Sequence, residues 1–307
     1  MKAKKRILVL GSDGLVGSAI KKSHYFSSEN LTHFSNRQEA DLIELSDVQN
    51  LFNKVNPDIV INCAGKVGGI LANSTQRYEF LTENLKINLN IFEAIRELKN
   101  VLVLNLGSSS IYPKDSKIPI VESSLMSGAL EDTNSPYSLS KIVGIELGKS
   151  LHGDNLKIIN LIPTNLYGPN DNFNPETSHV VPGLIHKFHQ AYENNSEQCK
   201  VWGSGTPLRE LLFVDDLVNA IELIIEKNCE YQIVNIGSST EISIKDLAEK
   251  IANLIGFQGK IVFDSSKPDG VRRKTLDSSR IHSFDWRPAT NLDIGLKTTY
   301  EWYVENK

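Results

Sequence analysis

The chain has 307 residues, 40% of them hydrophobic and 23% charged, with a formal net charge of -4. That supplies the core of two domains or one large α/β unit, while a mildly acidic surface argues against nucleic acid or an anionic membrane as partner. A small ligand is the expected partner, and Cys63, Cys199 and Cys229 are too few and too scattered for a disulfide framework or a thiolate metal site.

MKAKKRILVLG, at the start, turns from basic to apolar, but "ILVL" is too short for a signal core or a membrane span, so a cytoplasmic protein is expected. RILVL (6–10) is a continuous apolar run ending at Gly11, as suits a strand buried on both faces of a parallel sheet. A helix follows over 14–22, a second strand over about Leu31–Phe34, and a helix over 48–55. DIVINCA (58–64), VLVLNL (101–106) and KIINLIP (157–163) read as further strands, separated by a long helix within 76–99 and one over 137–151. The alternation predicts right-handed βαβ units and a doubly wound parallel sheet.

After Pro163 the pattern becomes loop-rich, with a helix near 181–194. LLFVDDLVNAIELIIEK (211–227) reads as a strand feeding a helix, and QIVNIG as another strand. Ser243 and Asp246 resemble a capping box opening a helix to about 255, and the C-terminal segment reads as a packed helix. The expected architecture is an α/β Rossmann domain from 1–164 and 211–236, with a smaller α/β substrate domain from 165–210 and 237–307.

Gly11, Gly14 and Gly17 lie directly after the first strand and open a helix. Glycines so placed allow a tight turn, a close diphosphate and close helix packing, and the helix N-terminus attracts the phosphates. At the end of the second strand, where NAD-binding folds carry an acid, stand Ser35, Asn36 and Arg37, which suit a 2'-phosphate and favour NADPH. Tyr137 and Lys141, four apart, share a helix face. An ammonium beside the phenol is expected to lower its pKa and make it a proton donor to an alkoxide formed by hydride addition to a ketone. LNLGSSSIYPKD (104–115) adds three serines at the end of a strand.

With these features the chain resembles the extended short-chain dehydrogenase/reductases. KVGGI (66–70), GSSSIYPK, PTNLYGPNDNFNP, SHVVPGLI, VWGSGTPLRE (201–210) and KPDGVRRK (267–274) narrow the likeness to GDP-L-fucose synthase and its near relatives. The resemblance implies a GDP-4-keto-6-deoxy-mannose substrate, epimerised at C3 and C5 and reduced at C4 by NADPH. It assigns reduction to Ser108, Tyr137 and Lys141, with Ser109 an open alternative to Ser108, and an acid role in epimerisation to His179. Around the glycines it adds Ser12, Asp13, Leu15 and Val16 as cofactor contacts, with Asp41, Leu42 and Ala64 further along the sheet. Pro163, Asn165, Leu166 and His179 complete the cofactor set, Lys141 included. Ser109, Asn165, Lys187, Trp202, Arg209 and Asp269 then line the sugar-nucleotide site, Trp202 by stacking on guanine and Arg209 as a bidentate donor near the diphosphate. A homodimer through the helices of 76–99 and 137–151 is also implied.

Two positions depart from the family pattern. The epimerisation base of the synthases is a cysteine where this chain has Ser110, and a hydroxyl is far harder to ionise than a thiol. An arginine of the family is Lys187 here, a flexible point charge in place of a rigid fork. The expectation is therefore a C4 reductase of a GDP-4-keto-6-deoxy-hexose or a related GDP-4-keto-heptose with epimerisation weak or lost. The alternatives are a bifunctional GDP-L-fucose synthase that tolerates serine and, in another class, a non-catalytic NADP(H)-sensing protein. His186 and His189 have no further ligands at metal-site spacing, so no metal is expected. Asp215 and Asp216, between a strand and a helix, are expected to be structural, as helix-start acids.

Overall fold

The computed structural model describes residues 4–267 and 269–307. β1 (Arg6–Leu10), α1 (Leu15–Lys22), β2 (Leu31–Ser35), α2 (Leu45–Val55) and β3 (Ile59–Asn62) open the chain. They are followed by α3 (Ile70–Thr75), α4 (Arg77–Arg96), β4 (Val101–Leu106), α5 (Ser135–Leu151) and β5 (Leu156–Pro163). The predicted strands are all present, with boundaries shifted by one or two residues.

Together with β9 (Ile233–Ile236), these strands form a six-stranded parallel sheet in the order β2-β1-β3-β4-β5-β9. Successive side chains of a strand point to opposite faces, and in β1 both faces are covered. Ile7 and Val9 join Ile20 of α1, and Leu8 and Leu10 join Leu51 and Phe52 of α2 in separate clusters. Each such fully buried side chain contributes about 1.5–3 kcal/mol, which is why residues 7–10 have no polar position. The chain passes from β1 outward to β2, then crosses back to β3 on the other side of β1. The switch point lies at the end of β1, where Gly11 begins the glycine loop.

One polar row crosses the buried sheet. Asn62, Asn105 and Asn160 are register partners on β3, β4 and β5. Asn62 Nδ2 donates to Asn105 Oδ1 at 3.0 Å and Asn105 Nδ2 to Asn160 Oδ1 at 2.9 Å, while Asn62 Oδ1 accepts from the Ala64 backbone. A one-residue slip of any strand would orphan these amides, so the row fixes register beneath the site.

The second region comprises β6 (Asn165–Tyr167), α6 (Val180–Glu193), β7 (Gln198–Trp202), β8 (Leu208–Phe213), β10 (Glu241–Ser243), α8 (Ile244–Ile255), β11 (Lys260–Asp264) and α10 (Leu292–Asn306). β8 pairs with β6 and β10, and β7 with β11. The strand at 211 thus lies outside the large sheet, contrary to expectation, because it hydrogen-bonds β6 in place of β5. The return to the first layer begins with α7 (Val214–Glu226), whose Leu217 and Ile221 pack with Ile20 of α1, and is completed by β9. α9 (Ser279–His282) packs beside β9. Asp216 is structural, but not as a cap: its buried carboxylate accepts from the backbone of Ala289 and Thr290, anchoring the segment that leads to α10. Ser243 does cap α8, accepting from the Asp246 amide at 3.0 Å while its hydroxyl donates to the Asp246 carboxylate.

Candidate active site

The glycine loop fits a dinucleotide. Gly11 has φ +75, and a Cβ there would come within 2.8 Å of the Ala64 backbone; one on Gly17 would lie 2.5 Å from Ser12 Cα. Gly14 caps α1 with no side chain over its first amides, so those donors remain available to a phosphate. Ser12 and Val16 are buried, Leu15 half-buried and Asp13 exposed. Asp13 holds Lys21 at 2.6 Å and Asn36 at 2.8 Å, which ties the loop to the end of β2. There Arg37 is exposed, with a long 3.5 Å contact to Asp41 as its restraint, and Leu42 is half-buried alongside.

The segment after β3 joins this loop to the predicted proton donor. Ala64 lies against Gly11, and a Cβ on Gly65 would fall 3.4 Å from Lys141 Nζ. Lys141 is buried on α5 and donates to the Leu106 carbonyl at 2.9 Å, with its ammonium 6.0 Å from the centroid of the Tyr137 ring. Ser108 follows β4, and its side chain acts on Tyr137, lowering the phenol's pKa against the larger effect of burial. Ser109 and Ser110 are buried in the 3-10 turn that Ser108 caps. Ser108 is thus the serine brought to Tyr137.

The predicted electrostatics need correction. Burial pushes the Tyr137 phenol up to about 12, and burial lowers the Lys141 ammonium to about 8. For the phenol, desolvation outweighs the opposing contribution of Ser108. A phenol kept protonated at neutral pH still suits a proton donor.

KVGGI gains a physical role. Gly69 donates its amide to Thr177 at 2.8 Å, and Gly68 packs between Phe80 and Thr177, so a side chain at either glycine would push the 177–178 backbone away. Phe80 in turn meets Tyr137 edge-on, ring centroids 6.3 Å apart. The glycines therefore hold the 177–178 backbone that leads to His179 beside Phe80. His179 is the N-cap residue of α6 with no capping hydrogen bond from its side chain, which is exposed, and its pKa is lowered by desolvation. Pro163 ends β5, and Asn165 and Leu166 start β6, half-buried.

At the other end, Trp202 is 41% exposed, with Lys187 Nζ 4.7 Å and Lys267 Nζ 5.5 Å from its ring centroid. An exposed aromatic ring with two ammonium groups beside it suits a nucleobase and its phosphates. Arg209 differs from expectation: its guanidinium donates to the carbonyls of Leu208, Val271 and Asp269, which leaves fewer N–H groups for a ligand. Asp269 likewise binds the amide and hydroxyl of Ser204. Both brace the 269–271 loop, since backbone partners lie nearer than the cleft.

Sequence reasoning passed over Lys267 and Lys274. Burial and the neighbouring Arg209 push Lys274 down to about 8. The signal available was the basic residues at both ends of KPDGVRRK; Pro268 within that block lies outside the described residues. His186 and His189 instead meet the hydroxyls of Tyr303 and Tyr300, each at 3.0 Å.

A protein-family model, "NAD dependent epimerase/dehydratase family", matches residues 7–237. The chain belongs to that family. Within the family it is 47% identical over 307 residues to "Probable GDP-L-fucose synthase 1" of Oryza sativa subsp. japonica, covering 98% of this chain and 92% of that one. Among solved structures, a GDP-L-fucose synthetase from Naegleria fowleri bound to NADP superposes with a TM-score of 0.89 at 28% identity, covering 100% and 96% of the two chains. A GDP-mannoheptose C4 reductase from Campylobacter jejuni with NADP bound gives 0.86 at 30% identity, covering 99% of each. This epimerase/dehydratase-family chain is therefore similar to these enzymes over its whole length and in its fold.

Proposed function

We propose that this chain reduces the C4 ketone of a GDP-4-keto sugar with NADPH. The observation that carries the reading is the meeting of Ser108, Tyr137 and Lys141 at the end of β4, joined through Ala64 and Gly65 to the glycine loop. Gly11, Gly14 and Gly17 would hold the diphosphate and Arg37 the 2'-phosphate; bound there, the cofactor supplies the hydride. Ser108 donates a hydrogen bond to the ketone oxygen, and Tyr137 gives its proton to the alkoxide as charge develops there. Lys141 fixes the phenol's place. Trp202, Lys187 and Lys267 take the nucleotide.

For the full reaction, the names of the relatives favour a bifunctional GDP-L-fucose synthase, which epimerises C3 and C5 before reduction, over the reductase-only reading. In that case His179, its pKa lowered by desolvation, is the group proposed to exchange protons. One observation favours the second reading, reduction without epimerisation: among the described residues the Ser110 hydroxyl donates to Ser108 and to no basic side chain. Incubation with GDP-4-keto-6-deoxy-mannose and NADPH in deuterated water decides. Deuterium at C3 and C5 of a fucose-configured product supports the bifunctional reading; cofactor oxidation with protons retained supports the reductase; no oxidation overturns both for this sugar and directs the test to a GDP-4-keto-heptose.

Residues 1–164 with α7 and β9 form the dinucleotide side in this reading, and the remainder the sugar-nucleotide side. We place the reaction in the cytoplasm as part of this reading; among the described residues no helix is long and apolar enough to cross a membrane. We further propose a homodimer through α4 and α5, whose outer faces expose Tyr78, Leu89 and Leu139. Sedimentation as a monomer at micromolar concentration would overturn that pairing.

A further inference from the structure

Ser108 Oγ accepts two hydrogen bonds from one residue. Ser110 donates its backbone N–H at 3.3 Å and its hydroxyl at 3.1 Å. A serine hydroxyl has one donor and two acceptor sites, so Ser110 fills both acceptor sites and leaves Ser108 its O–H alone. We propose that Ser110 is a positioning residue for ketone reduction, restricting Ser108 to donation, so that its single O–H faces the Tyr137 oxygen in the free enzyme and turns to the carbonyl oxygen when the ketone binds.

The local fold builds this arrangement. Ser108 is extended (φ -159, ψ 145) and caps the 3-10 turn Ser109–Ile111, which brings the Ser110 amide back onto its side chain. The amide contact is a feature of any residue at 110. The hydroxyl contact is specific to serine or threonine, and at 7% exposure Ser110 leaves little room for water to replace it. A ketone oxygen and its alkoxide accept and do not donate, so a Ser108 restricted to donation matches them throughout the hydride step. With cysteine at 110, the S–H is a weak donor, and Ser108 would keep one acceptor site open to rotation. Serine at 110 thus exchanges a potential base for a firmer grip on the carbonyl-binding hydroxyl.

The inference rests on the reduction reading and is independent of epimerisation. Ser110→Ala removes the hydroxyl and keeps the amide; Ser110→Cys keeps the bulk with a weak donor and guards against a folding defect. Both variants are expected to lower kcat for NADPH oxidation by about tenfold, the worth of one such hydrogen bond, with KM for the sugar nucleotide and the affinity for NADPH unchanged. A second readout needs no sugar. The onset of Tyr137 ionisation, followed in the ultraviolet against the corresponding Tyr137→Phe background, should move to higher pH in Ser110→Ala, because a freely rotating Ser108 donates less to the phenolate. Lys141 is the charged neighbour on the same helix and is untouched by either change. Unaltered kcat and ionisation with lowered thermal stability would reduce Ser110 to a turn residue and overturn the proposal. Loss of deuterium incorporation at C3 and C5 with reduction intact would overturn it too, placing Ser110 in epimerisation. If the wild type oxidises no NADPH with any GDP-4-keto sugar, the reduction reading fails, while the ionisation shift still decides whether Ser110 orients Ser108.

Discussion

Lys141 Nζ donates to the Leu106 carbonyl at 2.9 Å, so the helix that carries Tyr137 is pinned to the last residue of β4, two residues before Ser108. Burying an ammonium is unfavourable unless it is hydrogen-bonded, and this contact offsets part of that cost while setting the distance between the phenol and the serine turn.

Replacing Lys141 with Met should therefore lower kcat/KM for reduction by about 10²–10⁴-fold, the range for a misplaced general acid, with the far-ultraviolet spectrum unchanged. The pH profile has a defined sign. Burial lowers this lysine to about 8, so its ammonium is lost as pH rises through that value and the rate should fall on the alkaline side. Lys141→Met should lack that limb; a wild-type rate that is level from pH 7 to 9 would show that the charge of Lys141 is not needed.

Arg37 offers a second check. It is 75% exposed at its side chain and held by one 3.5 Å contact, so it contributes little to the fold and is free to meet a 2'-phosphate. Arg37→Ala should weaken NADPH binding by about tenfold or more, as for loss of a charge-assisted pair, and leave NADH binding as it was. Equal weakening of both cofactors would assign the effect to loop structure.

Much of this was legible in the sequence because burial leaves a simple record. ILVL (7–10) and VLVL (101–104) are apolar since both sheet faces are covered, and Gly11 and Gly17 are glycine since a Cβ would meet backbone. What could not be read was which partner each polar group finds. Arg209 and Asp269 look like ligand contacts from their motifs, yet their nearest partners are the backbone of 269–271 and Ser204, and that pairing depends on two loops 60 residues apart. The fall of Leu211–Phe213 outside the large sheet was hidden for the same reason: an apolar run says that a strand is buried, not beside which strand. The phenol's raised pKa likewise required the depth of burial around Tyr137, which the four-residue spacing to Lys141 does not contain.

At the nucleotide end, Trp202 is exposed, with the Lys187 and Lys267 ammonium groups 4.7 Å and 5.5 Å from its ring centroid. Trp202→Ala should raise KM for the sugar nucleotide by about tenfold, in keeping with the ~1–3 kcal/mol of stacking on an aromatic platform, and change kcat less than threefold. A fall confined to kcat would move Trp202 from binding to the geometry of the reacting carbon.

Asp171 supplies a test on the fold itself. Its Oδ1 accepts from the Asn172 amide at 2.7 Å, while Oδ2 is buried without a hydrogen-bond partner among the described residues. Burial pushes the carboxyl up to about 7. The unfolded chain releases this proton near pH 4 and the native chain near pH 7, so the native state binds more protons between those values. Stability contributed by the protonated form is therefore present below about pH 4 and is lost as pH rises to 7. Asp171→Asn keeps an acceptor for Asn172 and removes the charge, so it should melt about 2 °C or more above the wild type at pH 8 and alongside it at pH 4. A difference of the same size at both pH values would trace the effect to packing of the 168–179 loop and not to the buried carboxylate.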